Sequence, residues 1–296
     1  MSDIAMGPAL TGTLVCRDIA LLESCYVDYL YMQVVERSVI SHEQASLWAA
    51  PALAGNAQIV LASSSGVPWI RAIEDPAAAI PRPFLEQGWM TLEVVVKHVD
   101  ALAVELESSP FEIFRPPADL DVSPMIRAMQ VIGPAGEVLY LTEVKGDVPP
   151  FDIPQASCEV DRLFIPVMCC QDRDASIDFY TGFSGVSKFV FDTKITSVNA
   201  AYGYELDRRH PVATMQLAGQ SMIEIDQIEA CSSRPCANGG LPAGIAMISY
   251  EVDSLDDLSL EWLSQPQVLQ LSPYAGRRAA ACVGAGGELL ELIERH

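Results

Sequence analysis

Four short stretches of this chain recur, in the same order, roughly 150 residues further on. "CRDIALLESCY" (16–26) returns as "CQDRDASIDFY" (170–180), with Cys, Asp and Tyr at matched places. "GVPWIR" (66–71) returns as "GQSMIE" (219–224), and "VVVKHVDAL" (94–102) as "SYEVDSLDD" (249–257). "GPAGEVLYL" (133–141) returns as "GAGGELLEL" (284–292). One such match would carry little. Four in one order mean that the 296-residue chain is a duplicated half, which must fold as two similar units.

Each half divides again. Asp18, Asp100, Asp172 and Asp256 each follow an apolar strand and open a helical pattern. Leu22, Cys25, Tyr26 and Tyr29 fall at helical spacing, as do Leu255, Leu258 and Trp262. An aspartate at a helix start accepts bonds from unpaired backbone N–H groups, so these four are read as caps and not as catalytic groups. Three short apolar runs follow each helix: 111–114, 124–132 and 137–144 in the second module, and 187–195, 211–219 and 221–227 in the third. Proline-rich segments at 74–84, 145–155 and 232–244 separate the modules. The unit is βαβββ, used four times, which predicts an α+β fold with mainly antiparallel sheets.

Half of the residues are hydrophobic, enough for two domains with their own cores. A net charge of −21 repels nucleic acid and anionic lipid, so neither is expected as a partner. No stretch approaches the roughly 18 apolar residues that span a bilayer. The opening "MSDIAMGPAL" lacks the pattern of a signal peptide, and a cytoplasmic monomer or homodimer is expected. The eight cysteines are expected as reduced thiols, because a core of this size needs no disulfide framework. "CSSRPC" (231–236) has no second Cys/His pair with zinc spacing. Neither a "GxxxxGK[ST]" loop nor a "GxSxG" turn occurs.

A repeated βαβββ unit resembles the vicinal oxygen chelate superfamily, the glyoxalase/bleomycin-resistance/extradiol-dioxygenase fold. "DRDASIDFYTGFSGVSKFV" (172–190) is similar to its strand-to-helix start, and "GGELLELIE" (286–294) to its glycine turn and terminal strand. The resemblance implies two glyoxalase-like domains with curved sheets around a cavity. Their expected spans are 1–148 (modules 7–75 and 88–146) and 156–296 (modules 158–230 and 243–296). It also implies a metal held by inward residues of first and last strands, His or Gln on the first and Glu on the last. Carried onto this chain, the first-strand positions are Thr11, Thr91, Ile165 and Met247. The last-strand positions are Arg71, Tyr140, Glu224 and Glu291. None is histidine, and His42, His98, His210 and His296 lie elsewhere. No metal ligand is assigned and no cofactor is expected, although two carboxylates could hold Mg or Ca with waters.

The expected chemistry follows from these positions. Glu224 and Glu291 facing each other in an apolar cup would share a proton near neutrality and could move it at carbon next to a carbonyl. Arg71 would anchor an anionic group, and Tyr140 would donate to a carbonyl. Trp69, Trp89 and Met90 would line the pocket with Thr11, Thr91 and Met247. The function expected is isomerase- or lyase-like proton transfer on a small apolar or aromatic oxygenated compound, without a complete metal site. The alternatives are a metal-free binding protein of the bleomycin-resistance type, and a metal-dependent dioxygenase or glyoxalase with ligands displaced in register.

Overall fold

Strand alternation and aspartate caps organise each module. In the computed structural model, which describes residues 5–120, 123–183, 186–236 and 238–295, the first module runs β1 (Met6–Cys16), α1 (Ile19–Tyr29), β2 (Gln33–Val39), α2 (His42–Leu47), β3 (Ala57–Ala62) and β4 (Pro68–Glu74). The second runs β5 (Gly88–Val96), α3 (Val99–Leu106), β6 (Glu112–Leu120), β7 (Ser123–Ile132) and β8 (Val138–Val144). The third runs β9 (Val160–Cys170), α4 (Arg173–Thr181), β10 (Ser187–Lys194), α5 (Thr196–Tyr202), β11 (Arg209–Leu217) and β12 (Ser221–Gln227). The fourth holds β13 (Gly244–Val252), β14 (Gln267–Val268), β15 (Arg278–Val283) and β16 (Leu289–Glu294).

Two of the four aspartates cap as expected. Asp18 accepts from the Leu21 N–H at 2.9 Å, and Asp172 from the Ala175 N–H at 3.0 Å. Helix α3 starts after His98 instead, which leaves Asp100 in its first turn, paired with Arg127 at 2.8 Å. The fourth helix does not form: residues 253–257 hold only bends and a turn. Ser254 Oγ accepts from the Asp256 N–H, and the run Asp253-Ser254-Leu255-Asp256-Asp257 favours such local bonds over helix.

The strands form two eight-stranded sheets, β14-β15-β16-β13-β1-β4-β3-β2 and β10-β11-β12-β9-β5-β8-β7-β6. The first joins modules one and four; the second joins modules two and three. The sequence expectation paired one with two and three with four. Local patterning makes every first strand a competent partner for any other, so it does not choose between these pairings. Within each sheet the two first strands meet antiparallel at the seam, β1 with β13 and β5 with β9. Each module's last strand lies parallel to its first. The concave face of the first sheet is called cup I here, and that of the second cup II.

Modules one and two, and modules three and four, instead stand back to back. One core cluster takes residues from the outer faces of both sheets and from α1, α3 and α4, among them Leu14, Leu22, Leu92, Leu102, Met168 and Ile177. A side chain at Gly12 would press to 2.8 Å from Leu92 of the other sheet. Two buried hydrogen bonds cross this junction at repeat-related places. Tyr26 Oη donates to Glu137 at 2.7 Å, and Tyr180 Oη to Glu288 at 2.8 Å. They explain the repeated "GxxGE" turn. Gly136 and Gly287 take positive φ (+75° and +80°), while a side chain at Gly133 or Gly284 would overlap the glutamate at 2.0 or 1.9 Å. Burial pushes both carboxyls up to about 7. Among the described residues no helix is long and apolar enough to cross a membrane.

Candidate functional site

Parallel pairing of first and last strands sets four side chains at the centre of each cup. In cup I, Thr13 stands beside Arg71 and Ser249 beside Glu291. In cup II, Glu93 stands beside Tyr140 and Val167 beside Glu224. The expected first-strand positions Thr11, Thr91, Ile165 and Met247 each fall two residues short of these partners. A displacement of two keeps the face, because strand side chains alternate with period two, so all four still look into a cup.

Cup I is closed around its own ion pair. Arg71 Nη2 lies 2.9 Å from Glu291 Oε2, with neither side chain exposed at all. Arg71 also donates to Thr13 Oγ1 at 3.0 and 2.7 Å and to Tyr274 Oη at 2.9 Å. Glu291 accepts from Trp48 Nε1 at 2.7 Å, Tyr274 Oη at 2.6 Å and Ser249 Oγ at 2.6 Å. Ser249 in turn accepts from Thr11 Oγ1 at 3.0 Å. The Trp48 ring lies 4.6 Å from the guanidinium carbon. Met247 is buried with Tyr274 and Trp48 in the surrounding apolar cluster. Burial pulls the Arg71 pKa down, and Glu291 and Tyr274 together more than offset it, so the arginine is held charged.

Cup II collects acids that, among the described residues, no cation stabilises. Glu93 rises from β5, and Glu224 and Asp226 from β12, two strands separated by β9, walled by Met90, Ile165, Val167, Cys169, Val212 and Met222. Thr142 Oγ1 donates to Glu93 at 2.7 Å. Burial, with Glu224 nearby, pushes the Glu93 carboxyl up to about 8; burial pushes Glu224 up to about 7. Asp226 is raised well above its ordinary range by burial and by Glu224. Burial, then Asp226 and Glu224, also raise the Tyr140 phenol. Glu224 and Tyr140 nevertheless keep part of their surface accessible, unlike any of the four central residues of cup I.

The polar atoms left over separate the cups further. Among the described residues, Thr214 Oγ1, Gln130 Oε1 and Asp226 Oδ1 of cup II are buried with no hydrogen-bond partner. The hydroxyls of Thr91 and Ser197 stand beside that of Tyr140 without meeting hydrogen-bond geometry. Thr214 lies directly across the ladder from Glu224 and Gln130 across from Tyr140, so their side chains share the cup face. His210 is committed elsewhere: its Nε2 lies 2.6 Å from Asn199 Oδ1, and burial lowers its pKa. At the rim, Arg115 Nη2 donates to the Thr196 carbonyl at 3.1 Å, tying β6 to the start of α5.

The residues singled out in the sequence are therefore regrouped. Arg71 meets Glu291 and not Tyr140, and Glu224 meets Tyr140 and not Glu291. Trp69 lines neither cup. The β3–β4 ladder is irregular there, with Leu61 opposite Ile70 and Ala62 opposite Pro68. The bulge turns Trp69 to the outer face, against Tyr26 at 6.0 Å. Trp89 likewise packs on the outer side, near Tyr250. Sequence reasoning missed Glu93, although a lone glutamate within the apolar run "TLEVVV" was a signal. It also missed Asp226, Trp48 and Tyr274.

Neither central quartet fits a resident transition metal. Cup I fills the cationic place with Arg71. Cup II offers two carboxylates, a phenol and an isopropyl group, and no imidazole. Among the described residues, no group of three or more His, Cys, Asp or Glu side chains converges as a metal cage.

No family model matches the sequence, and no curated protein matches it. Solved structures match over nearly the whole chain. Glyoxalase I from Zea mays is 13% identical, with TM-score 0.63, over 99% of this chain and 92% of its own. A putative dioxygenase from Bacillus subtilis is 14% identical, with TM-score 0.63, over 99% and 86%. The cppA protein from Streptococcus pneumoniae is 11% identical, with TM-score 0.52, over the full length of both. Identities this low speak to architecture alone. The βαβββ modules, the seam of first strands and these likenesses agree: the chain has a two-domain glyoxalase-like fold.

Proposed function

We propose that cup II is the working site and that it carries out proton transfer on a small molecule without a resident metal. The observation that carries this reading is the gathering of Glu93, Glu224 and Asp226 with Tyr140, in a cup that remains partly accessible. At neutral pH Glu224, with a pKa of about 7, is the member best able to accept a proton. Glu93, at about 8, remains mostly protonated and can return one. Tyr140, held as a neutral phenol, would donate a hydrogen bond to a substrate oxygen. Such a set suits removal of a proton from carbon next to a carbonyl and its return at a second position. Cup I, sealed by Arg71 and Glu291, would then be a structural half.

The test is solvent exchange. Compounds that raise the melting temperature are incubated with the protein in D₂O, and deuterium at carbon is followed by NMR. The native chain is expected to exchange its ligand. Glu224→Gln keeps binding and loses about 10²–10⁴-fold in exchange rate. Equal exchange in Glu224→Gln overturns the proposal, as does exchange restored only by an added transition metal. Binding without exchange in the native chain makes cup II a binding site only.

A further inference from the structure

We propose that cup II is built for an organic cation: a compact apolar or aromatic body bearing one protonated amine, seated between Glu93, Glu224 and Asp226. This rests on the reading of cup II as the ligand site and goes beyond it by naming the ligand's charge.

The acids alone would not carry the assignment, since buried acids can simply remain protonated. Three further features point to a ligand. Thr214 is 5% exposed and Asp226 1% exposed, and each has a polar atom without a partner on the cup face shared with Glu224. Such atoms cost free energy when left dry and unpaired, so they mark the place of a missing hydrogen-bonding group. Next, among the described residues, the charged groups that face the cluster include no cation that stabilises it. Burial raises all three, and Glu224 adds to the shifts of Glu93 and Asp226. His210 is held by Asn199 with a lowered pKa, and Arg115 is spent on the Thr196 carbonyl at the rim. Finally, cup I shows how this chain neutralises a carboxylate when it does so itself. There Arg71 comes from the last strand of module one, and the repeat places Glu224 at that same position. Cup II thus has an acid where its sister cup has the cation.

A protonated amine supplies up to three donors, which matches Glu224, Asp226 and the Thr214 hydroxyl as acceptors. The walls of Met90, Ile165, Val167, Val212 and Met222 suit an apolar body. A hydroxyl or carbonyl on the same molecule would meet Tyr140 and the nearby hydroxyls of Thr91 and Ser197. An anion is disfavoured, because it would add charge of the same sign to a buried acidic set.

The experiment compares matched probes on the full chain: benzyl and butyl bodies, each as amine, alcohol and carboxylate, by thermal shift and titration calorimetry. At pH 8 the amines are expected to bind at least about tenfold tighter than the alcohols, and the carboxylates not at all. At pH 7 amine binding is expected to release protons, seen as binding enthalpies that differ between phosphate and Tris buffers. The double variant Glu93→Gln, Glu224→Gln loses the preference for amines while its own unfolding stays cooperative. If alcohols or carboxylates bind as well as the amines, and Thr214→Trp abolishes that binding, the inference falls while cup II stands as the ligand site. If none of the six probes binds at pH 6 or pH 8, both readings fall together.

Discussion

The two cups use the same strands at the same places and reach opposite electrostatic solutions. Cup I sets Arg71 against Glu291 and surrounds both with hydroxyl and indole donors, so every charge is answered inside the chain. Cup II puts glutamate at the repeat position of Arg71 and tyrosine at that of Glu291, and adds Glu93 and Asp226. Cup I answers its buried charges from within, whereas among the described residues Thr214, Gln130 and Asp226 of cup II each keep a buried polar atom without a hydrogen-bond partner. The lesson concerns the centre of a glyoxalase-like cup. Four side chains there set whether its charges pair within the chain, and the same sheet carries either arrangement.

The largest effect should come from breaking cup I. Arg71→Ala leaves Glu291 buried without its cation, and loss of one partner of a buried pair costs about 3–5 kcal/mol. Replacing both, Arg71→Met with Glu291→Leu, should recover most of that loss, because the pair has already been stripped of water on both sides. Urea midpoints at pH 7 measure both variants. A double variant as unstable as Arg71→Ala would mean that the surrounding donors, and not the unpaired charge, dominate.

Cup II should respond to substitution with the opposite sign. Glu93 holds its proton up to about pH 8 when folded and releases it near its ordinary value of 4.5 when unfolded. Between those values the folded state binds more protons, so stability falls as pH rises through the window. Glu224, Glu137 and Glu288, each at about 7, add to the slope. The stabilisation is fully present below about pH 4.5 and lost above about pH 8. Exposed acids such as Asp100, whose pKa is lowered by Arg127, act weakly in the other direction at lower pH. Unfolding should therefore be harder near pH 5 than at pH 8. Glu93→Gln with Glu224→Gln should raise stability at pH 8 by about 1–3 kcal/mol and change little at pH 5. Glu291→Gln, by contrast, should destabilise at both. If Glu224 and Glu291 variants move together, the contrast between the cups is wrong.

Particular residues show where sequence reasoning ends. The four modules were legible because duplication wrote the same caps, glycine turns and apolar runs twice, and Asp18, Asp172, Gly136 and Gly287 perform the repeated tasks. Partner choice was not legible, because β1 can pair with any first strand that shows the same pattern, and here it takes β13. That one choice moved Glu291 from Glu224 to Arg71. Trp69 was misread for a local reason, since one irregular pairing reverses the face of a residue that simple alternation assigns inward. Trp48 and Tyr274 reach the ion pair from outside the long strands, where no period predicts direction. Glu93 could have been found: an acid flanked by apolar residues in a strand buried throughout its length is costly and asks for a reason.

The smallest effect would show how independent the cups are. Tyr26–Glu137 and Tyr180–Glu288 are the repeat-related bonds that cross from one sheet to the other. Each joins a helix of one cup to the glycine turn of the next, so the two together tie both ends of the junction. Tyr→Phe at either place removes one hydrogen bond to a buried carboxyl and should cost about 1–2 kcal/mol. Above pH 7 the penalty should grow, because an ionised carboxylate left without its donor is costlier than a neutral acid. If the cups fold as one body, Tyr26→Phe and Tyr180→Phe each shift a single unfolding transition, and the double variant shifts it by about their sum. If calorimetry of the double variant instead resolves two transitions, the Tyr–Glu bonds are what makes one molecule of two cups. Arg71→Ala should then lower only one of those transitions, which would identify cup I in the trace.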